Sequence, residues 1–335
     1  MIRTKIGGTG HYVPENVVTN DDLSKMMDTN DAWIQERTGI KERRWIDPKT
    51  DDSPSTMGTK AARMAIANAG ITPDDVDFII FATLSPDYYF PGPGVMVQEQ
   101  LGISTIGALD VRNQCSGFLY GLSVGDAFIK AGTYKNILLI GAENHSGGLD
   151  KTTRGRGVSV IFGDGAGAVV LQPTQDEGKG VLTAHLHSEG QHAKELALIE
   201  PSTTRWVDKL IEENDPTNEQ YYPYMNGNFV FKHAVTRFQE VIHEALNATK
   251  LTAQDINLLI PHQANLRISQ YVQHKMGLGE DQVFSNIHKY GNTTAASIPI
   301  ALSEAVQEGK LKDGDLLCLA AFGSGFTWGS VLIRW

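Results

Sequence analysis

Residues 71–83, ITPDDVDFIIFAT, return in altered form at 251–263 as LTAQDINLLIPHQ, 180 positions later. Thr72 falls on Thr252, Asp75 on Asp255, and the apolar runs coincide; the preceding helical stretches also align, Ala65 with Ala245. A second pair, CSGF…KAGTYKN (115–136) and NTTA…QEGKLKD (292–313), matches at an offset of 177, with Gly132 on Gly309 and Lys135 on Lys312. Two blocks in one order at nearly one offset mean a single topology used twice. The chain is therefore read as two halves, 1–175 and 176–335, of shared architecture.

Each half alternates strand-like and helix-like stretches. VDFIIFATL (76–84), IGALDV (106–111) and KNILLIGA (135–142) are short apolar runs, as buried strands are. PSTMGTKAARMAIANAG (54–70) and SGFLYGLSVGDAFIKAG (116–132) have helical spacing and end at glycine. The fold class is α/β. A formal charge of −10 argues against a nucleic-acid binder, which needs a basic face. Two cysteines make no disulfide framework, which suits a reducing cytoplasm. No apolar run approaches the roughly 18 residues of a membrane span, and the N-terminus lacks a signal-peptide core, so a soluble protein is expected.

The repeat also carries chemistry. On the 177 offset Cys115 aligns with Asn292, and on the 180 offset Ala82 aligns with His262. In α/β sheets ligands gather beyond the carboxyl ends of the strands. Two halves facing each other about a pseudo-two-fold axis would bring a thiol, an imidazole and a carboxamide together. Cys115 at a helix start feels the positive end of the dipole, which favours thiolate, and a nearby imidazole can take its proton. The competing role is a buried structural cysteine, the commoner fate of a lone Cys and the one assigned to Cys318. His262 competes with a satisfied core histidine, and Asn292 with a helix N-cap. FGDGAGAVV (162–170) lacks the Lys-Ser/Thr and following helix of a phosphate loop and reads as a tight hairpin. His185 and His187 share a strand face but lack further ligands, so no metal is assigned. EENDP (212–216) reads as a solvated loop. FGSGFTWG (322–329) offers backbone N–H groups that could meet an oxyanion, or a bend packed on the core.

Taken together, Cys115 in CSGF, His262 in PHQANLRI and Asn292 in HKYGNTTAASIP resemble the β-ketoacyl-acyl-carrier-protein synthase III family of thiolase-fold condensing enzymes. The likeness runs nearly end to end, through TGHYVPENVVTNDDL, DAWIQERTGIKERRW (31–45), STMG (55–58), IFGDGAGA (161–168) and FGSGFTWGS (322–330). It implies a layered αβαβα sandwich, with the nucleophile in 1–175 and the His and Asn in 176–335. It implies Cys115, His262 and Asn292 as catalytic residues, and the backbone N–H groups of Cys115 and Ser324 as the oxyanion hole. Trp33, Arg37, Arg156 and Asn265 match coenzyme A positions. Gln263, Ala264, Asn265, Leu266 and Arg267, with Lys232, match the segment that docks acyl carrier protein. Phe90 matches a residue lining the partner's acyl tunnel in a homodimer. The implied reaction is decarboxylative condensation of an acyl-CoA with malonyl-carrier protein, in the cytoplasm, with a coenzyme A thioester as substrate and no cofactor.

The sequence departs from that pattern in places. Asn113-Gln114 precede the cysteine where small apolar residues are usual, Ser324 replaces a usual glycine, and His274 often is lysine. AENHSGGLD (142–150) differs from the common form. Residues 191–225 look about a dozen longer than usual, beside the expected acyl tunnel. The alternatives are therefore a condensing enzyme for longer primers, or a thiolase-fold acyltransferase of secondary metabolism. A non-catalytic subunit and a cysteine hydrolase fit the residues less well.

Overall fold

The computed structural model describes residues 2–213 and 215–335. Asn214, inside the EENDP run, lies outside the described residues. The first half carries β1 (Arg3–Tyr12), β2 (Val17–Thr19), β3 (Glu42–Arg44), β4 (Phe78–Ala82), β5 (Gly107–Val111), β6 (Ile137–Glu143) and β7 (Gly165–Thr174). The second carries β8 (Gly180–Ser188), β9 (Leu196–Ala197), β10 (Tyr224–Met225), β11 (Leu258–Pro261), β12 (Leu316–Gly323) and β13 (Thr327–Arg334).

One sheet has the order β1-β7-β6-β4-β5, the other β11-β12-β13-β8. Position by position they are the same sheet: β1 answers β8, β7 answers β13, β6 answers β12 and β4 answers β11. Where β5 pairs β4, the second half has only a parallel bridge from Val283 to Leu259. The turns entering β4 and β11 explain the shared residues of the repeat. The Thr72 hydroxyl donates to Asp75 Oδ2 at 2.8 Å, and the Thr252 hydroxyl to Asp255 Oδ2 at 2.8 Å. Each pair caps a 3₁₀ turn just before a buried parallel strand.

Five layers result. Helices Gly117–Lys130 and Ser297–Gln307 lie between the sheets, and Phe118, Leu119 and Leu122 share one core with Ile298, Ala301 and Leu302. Helices Pro54–Asn68 and Pro93–Leu101 cover the outer face of the first sheet. Helices Gly227–Thr249 and Leu266–Met276 cover that of the second.

Two expectations change. Both central helices follow a 3₁₀ turn that opens on a strained residue, Gln114 (φ 44°) in one half and Thr294 (φ 50°) in the other. The structural offset is thus 180 here too, and the counterpart of Cys115 is Ala295, not Asn292. The 177 offset arises downstream, because the second helix has 11 residues against 14. GDGAG is not a hairpin either. Arg156–Ser159 before it is a short helix, and Phe162 bridges in parallel to Asn292 before β7 starts.

The halves meet closely at Gly141 in β6. A Cβ there would stand 2.3 Å from the Ala295 carbonyl oxygen, which only a shift of backbone could relieve. Overpacking of this kind costs about 1–3 kcal/mol. Gly141→Ala is expected to lower the denaturant midpoint with an unchanged slope; an unaltered midpoint would show that the halves do not interlock at this point.

Candidate active site

Cys115 occupies the 3₁₀ turn Gln114–Ser116 beyond the end of β5 and is 7% exposed. Its neighbour across the pseudo-axis is Gly323, the last residue of β12. A Cβ on Gly323 would lie 2.5 Å from Cys115 Cβ and 2.9 Å from Sγ, so only glycine leaves room for the thiol. The Ser324 and Cys115 N–H groups and the Thr294 hydroxyl are directed at the sulfur and favour its charge. Burial outweighs them, with the Glu143 carboxylate adding to it, and pushes the thiol up to about 12. The helix start alone therefore does not make a resting thiolate. The proton needs an acceptor when the sulfur reacts.

His262 follows β11, its N–H donating to the Ala320 carbonyl at 2.8 Å. Nδ1 is 2.6 Å from Ser297 Oγ, and the Gln263 N–H reaches the same hydroxyl at 3.4 Å. We assign the Ser297 proton to Nδ1, the tautomer that leaves the imidazole proton on Nε2. Nε2 is buried without a hydrogen-bond partner among the described residues, on a ring that lines the same cavity as Cys115. Burial, reinforced by His145, holds the imidazole neutral by pushing it down to about 3. Asn292 is held by its backbone: its N–H donates to the Ile161 carbonyl (2.9 Å) and its carbonyl accepts from Gly163 N–H (3.0 Å). Its Oδ1 accepts from Thr294 N–H at 2.8 Å, the cap-like role expected of it. The amide nitrogen has no partner among the described residues.

Cys115, His262 and Asn292 line one cavity of about 350 Å³. Its walls are apolar, with Phe238, Phe322, Val230, Leu196 and Met225, and its mouth carries Trp33, Arg37, Asn265 and Arg267. Trp33 lies between two guanidinium groups, Arg37 at 4.7 Å and Arg156 at 5.5 Å from its ring centroid. Arg156 does not reach the cavity; it donates to the Asp28 carbonyl at 2.5 Å. Asn265 donates to the Arg37 carbonyl (2.9 Å) and caps the helix Leu266–Met276 through Arg267 N–H (2.9 Å). Arg267, Lys232 and Lys275 are exposed on that side, with the Arg267 guanidinium 5.8 Å from the Phe231 ring.

Gln263 does not belong to a docking surface. It is 1% exposed, donates to the Pro261 carbonyl at 2.6 Å, and accepts from Ser285 Oγ (2.7 Å) and Asn286 N–H (3.2 Å). Its role is internal: it sets the His262 loop. Phe90 is 75% exposed and does not line the cavity that holds Cys115. Ser324 keeps its backbone donor and uses its hydroxyl to bond the Leu196 carbonyl. Leu196 in β9 pairs with Met225 in β10, so the excursion between them is rooted in the cavity wall. That excursion also walls a second cavity of about 650 Å³, which shares Gly157, Met225 and Gly227 with the first.

His185 Nδ1 and His187 Nε2 lie 3.2 and 2.6 Å from the two oxygens of the Glu244 carboxylate, which accounts for the pair. Among the described residues no group of three or more such side chains could hold a metal. The sequence reading missed Glu143, His145 and Thr294. Glu143 is fully buried and accepts from Thr83, Leu84, Ser85 and the Ala295 backbone; burial pushes it up to about 7. The one signal was the unusual ENHS stretch.

Residues 109–190 match the family model described as 3-oxoacyl-[acyl-carrier-protein (ACP)] synthase III, and residues 246–335 match its C-terminal model. The β-ketoacyl-[acyl-carrier-protein] synthase III of Rhodospirillum centenum is 44% identical over 339 residues, covering 100% of this chain and 99% of that one. That of Pectobacterium atrosepticum is 44% identical over 331, covering 99% of each. Among solved structures, the Aquifex aeolicus 3-oxoacyl-[acyl-carrier-protein] synthase III superposes with a TM-score of 0.90 at 42% identity, covering 99% of this chain and 100% of that one. Xanthomonas campestris OleA, at 19% identity and TM-score 0.85, covering 99% and 98%, shares the fold.

The buried imidazole makes a pH prediction. The folded pKa of His262 lies below the usual 6.5, so its contribution to stability is whole above pH 6.5 and is lost as pH falls toward 3. Between pH 7 and pH 5 the parent should lose about 2 kcal/mol more than His262→Gln in denaturant unfolding. Glu143 titrates with the opposite sign but is common to both proteins and cancels. Coincident pH curves would mean that the imidazole is solvated.

Proposed function

This chain belongs to the β-ketoacyl-[acyl-carrier-protein] synthase III family, and from that premise we propose a residue-by-residue account of how it condenses an acyl-CoA with malonyl-carrier protein. The reaction starts fatty-acid synthesis by a decarboxylative Claisen condensation. It uses a coenzyme A thioester as substrate and needs no cofactor. The observation that carries the assignment is the convergence of Cys115, His262 and Asn292 on one apolar cavity with a cationic mouth.

In the first half-reaction Cys115 sulfur attacks the acyl carbonyl and coenzyme A leaves. The N–H groups of Cys115 and Ser324 receive the oxygen on which charge gathers. Trp33 and Arg37 hold the nucleotide end at the mouth by stacking and charge, with Arg156 beside the Trp33 ring on the outer side, and Asn265 lies along the path inward. In the second half-reaction the malonyl thioester takes the place of coenzyme A. His262, protonated on Nε2, and the Asn292 amide both donate to its carbonyl oxygen. Carbon dioxide leaves, the enolate is held by those two donors, and its carbon attacks the acyl-cysteine. Neutral donors suit this step, since an imidazolium could protonate the carbanion. Kinetics are ping-pong.

The chain is acidic overall, and so is a carrier protein. Screening over about 8 Å at physiological salt lets a local patch outweigh net charge. Arg267, Lys232 and Lys275 form that patch beside the mouth, with Ala264 and Leu266 as its apolar floor. The Leu196–Met225 wall sets how long a primer fits, and the second cavity beside it favours primers beyond acetyl as a second reading. Cytoplasmic location suits two free thiols, Cys115 and Cys318. Among the described residues no helix is long and apolar enough to cross a membrane.

A homodimer completes the site. Support comes from the free edge of β5, with Leu109 exposed, and from the exposed Tyr88, Tyr89 and Phe90 nearby in the chain. Sedimentation should give twice the chain mass, and a one-chain mass would remove Phe90 from the acyl tunnel.

Intact-mass spectra after mixing with acyl-CoAs from acetyl to dodecanoyl, and one aromatic, test the nucleophile. The parent should gain one acyl group and Cys115→Ala none; an adduct on Cys115→Ala would overturn the assignment. In the same assay Arg267→Glu should acylate normally yet turn over malonyl-carrier protein at least about tenfold more slowly, as a lost charge-pair contact of about 1.4 kcal/mol or more implies. Equal loss in both half-reactions would place Arg267 elsewhere.

A further inference from the structure

A second imidazole, His145, stands behind Thr294 on the Cys115 side of the site. Thr294 is a β-branched residue held at φ 50°, a conformation such residues rarely adopt. Held there, its hydroxyl faces two groups. One is the Cys115 sulfur, whose charge it favours across the contact between the two turns. The other is His145 Nε2, at 2.7 Å. His145 is 8% exposed, its ring lies 4.6 Å from that of Phe162, and its backbone N–H donates to Asp164 Oδ1 at 2.7 Å. The Asn292 side chain anchors the Thr294 N–H at 2.8 Å, so the residue is fixed at both its backbone and its side chain.

We propose that Thr294 and His145 form a proton relay for Cys115, in which His145 is a positioning residue acting through the Thr294 hydroxyl. At rest the S–H donates to Thr294 Oγ1 and the Thr294 O–H donates to His145 Nε2. As sulfur forms its bond to the acyl carbon, the S–H bond breaks and its proton passes to Thr294. Thr294 gives its own proton to Nε2, and the imidazole becomes imidazolium. The bond from the acyl carbon to coenzyme A sulfur breaks, and the imidazolium proton neutralises the departing thiolate through solvent. When condensation later releases the Cys115 thiolate, His145 takes a proton from water and the relay passes it back through Thr294 to sulfur; the hydroxide left joins the released carbon dioxide as bicarbonate. No oxidant or cofactor is required.

The arrangement divides labour between two imidazoles. His262 keeps its proton on Nε2 as a donor, because Ser297 holds Nδ1. His145 presents Nε2 as an acceptor toward a hydroxyl. The charged and titratable groups around the relay are Cys115, His262, Glu143 two residues along β6 and its following turn, and Asp164. Asp164 accepts from the His145 and Ser146 backbone N–H groups and fixes the turn that carries the imidazole. Burial keeps His145 neutral at rest.

The inference rests on Cys115 being the nucleophile, and the test separates the two. Iodoacetamide alkylation of the free enzyme reads Cys115 directly, with Cys115→Ala as blank. In Thr294→Val and His145→Gln, alkylation at pH 7 should slow about 10²-fold, the lower range for loss of a proton-transfer partner, and its pH profile should move upward. Thr294→Ser should restore both. Decarboxylation of malonyl-carrier protein by enzyme already acylated should change less than twofold. Alkylation profiles that overlay the parent would overturn the relay while leaving the nucleophile intact. So would a Thr294→Ser variant as slow as Thr294→Val, or equal loss in acylation and decarboxylation, either of which marks a structural role. A Cys115→Ala variant that still forms the acyl adduct would instead overturn the functional reading itself.

Discussion

The structure hangs on one crossing, where the backbone at Ile161–Gly163 runs beside Asn292. Two hydrogen bonds, of 2.9 and 3.0 Å, join the halves there as a single step of parallel sheet. Gly163 has no side chain because the Tyr290 carbonyl would meet a Cβ at 2.2 Å. Beneath it lies Arg43, fully buried and bonded to the Val18 and Val160 carbonyls and the Asn20 side chain. Burial lowers that guanidinium to about 10, yet it remains charged, and its donors go to carbonyls and an amide. The loop is thereby pinned from below by a cation and from beside by the other half. A carboxamide set on such a loop has little freedom, which is what a donor preorganised for an oxyanion requires.

The crossing has a symmetric consequence on each side of the pseudo-axis. Cys115 leans on Gly323 from the second half, and its counterpart Ala295 leans on Gly141 from the first. Glu143, the counterpart of Gly323, reaches back to the Ala295 backbone. The same contact was kept in both halves, while the side chains that fill it diverged. On one side the Cys115 sulfur sits among the N–H groups of Cys115 and Ser324, and on the other a buried carboxylate props the Thr294–Ala296 turn. Neither half by itself contains a site.

How much of this was legible follows from what is local. Thr72 with Asp75 and Thr252 with Asp255 could be read because a capping device needs residues three apart and no tertiary partner. The strands and central helices could be read for the same reason. Cys115, His262 and Asn292 were found as a set through whole-chain likeness. Equating Cys115 with Asn292 failed because a three-residue shortening of one helix displaced the match. GDGAG misled because its apolar left flank is a short helix ending at an interface, where burial and not β-pairing selects apolar residues. Gln263 looked like surface because QANLR is polar, but its amide is spent inside on Pro261, Ser285 and Asn286. His145 was invisible, since its meaning depends on Thr294, 149 residues away.

The electrostatics of the cavity then become intelligible as a resting state with little charge. Cys115 is a thiol, His262 and His145 are neutral imidazoles, and Glu143, raised to about 7, keeps only part of its charge at neutral pH, all at 8% exposure or less. Burying four ionised groups would cost several kcal/mol each. Keeping them neutral avoids that cost and leaves the low-dielectric site free to act only on charge that the reaction itself creates. In the proposed reaction a thioester oxygen turning anionic meets two N–H groups on one side of the cavity or two side-chain donors on the other, all fixed beforehand. The carbanion formed after decarboxylation is reactive toward water, so the same burial that raises the thiol pKa also protects the intermediate. The difficulty of ionising Cys115 is thus the counterpart of excluding water from the second step, and a hydroxyl-linked base beside the sulfur reconciles the two.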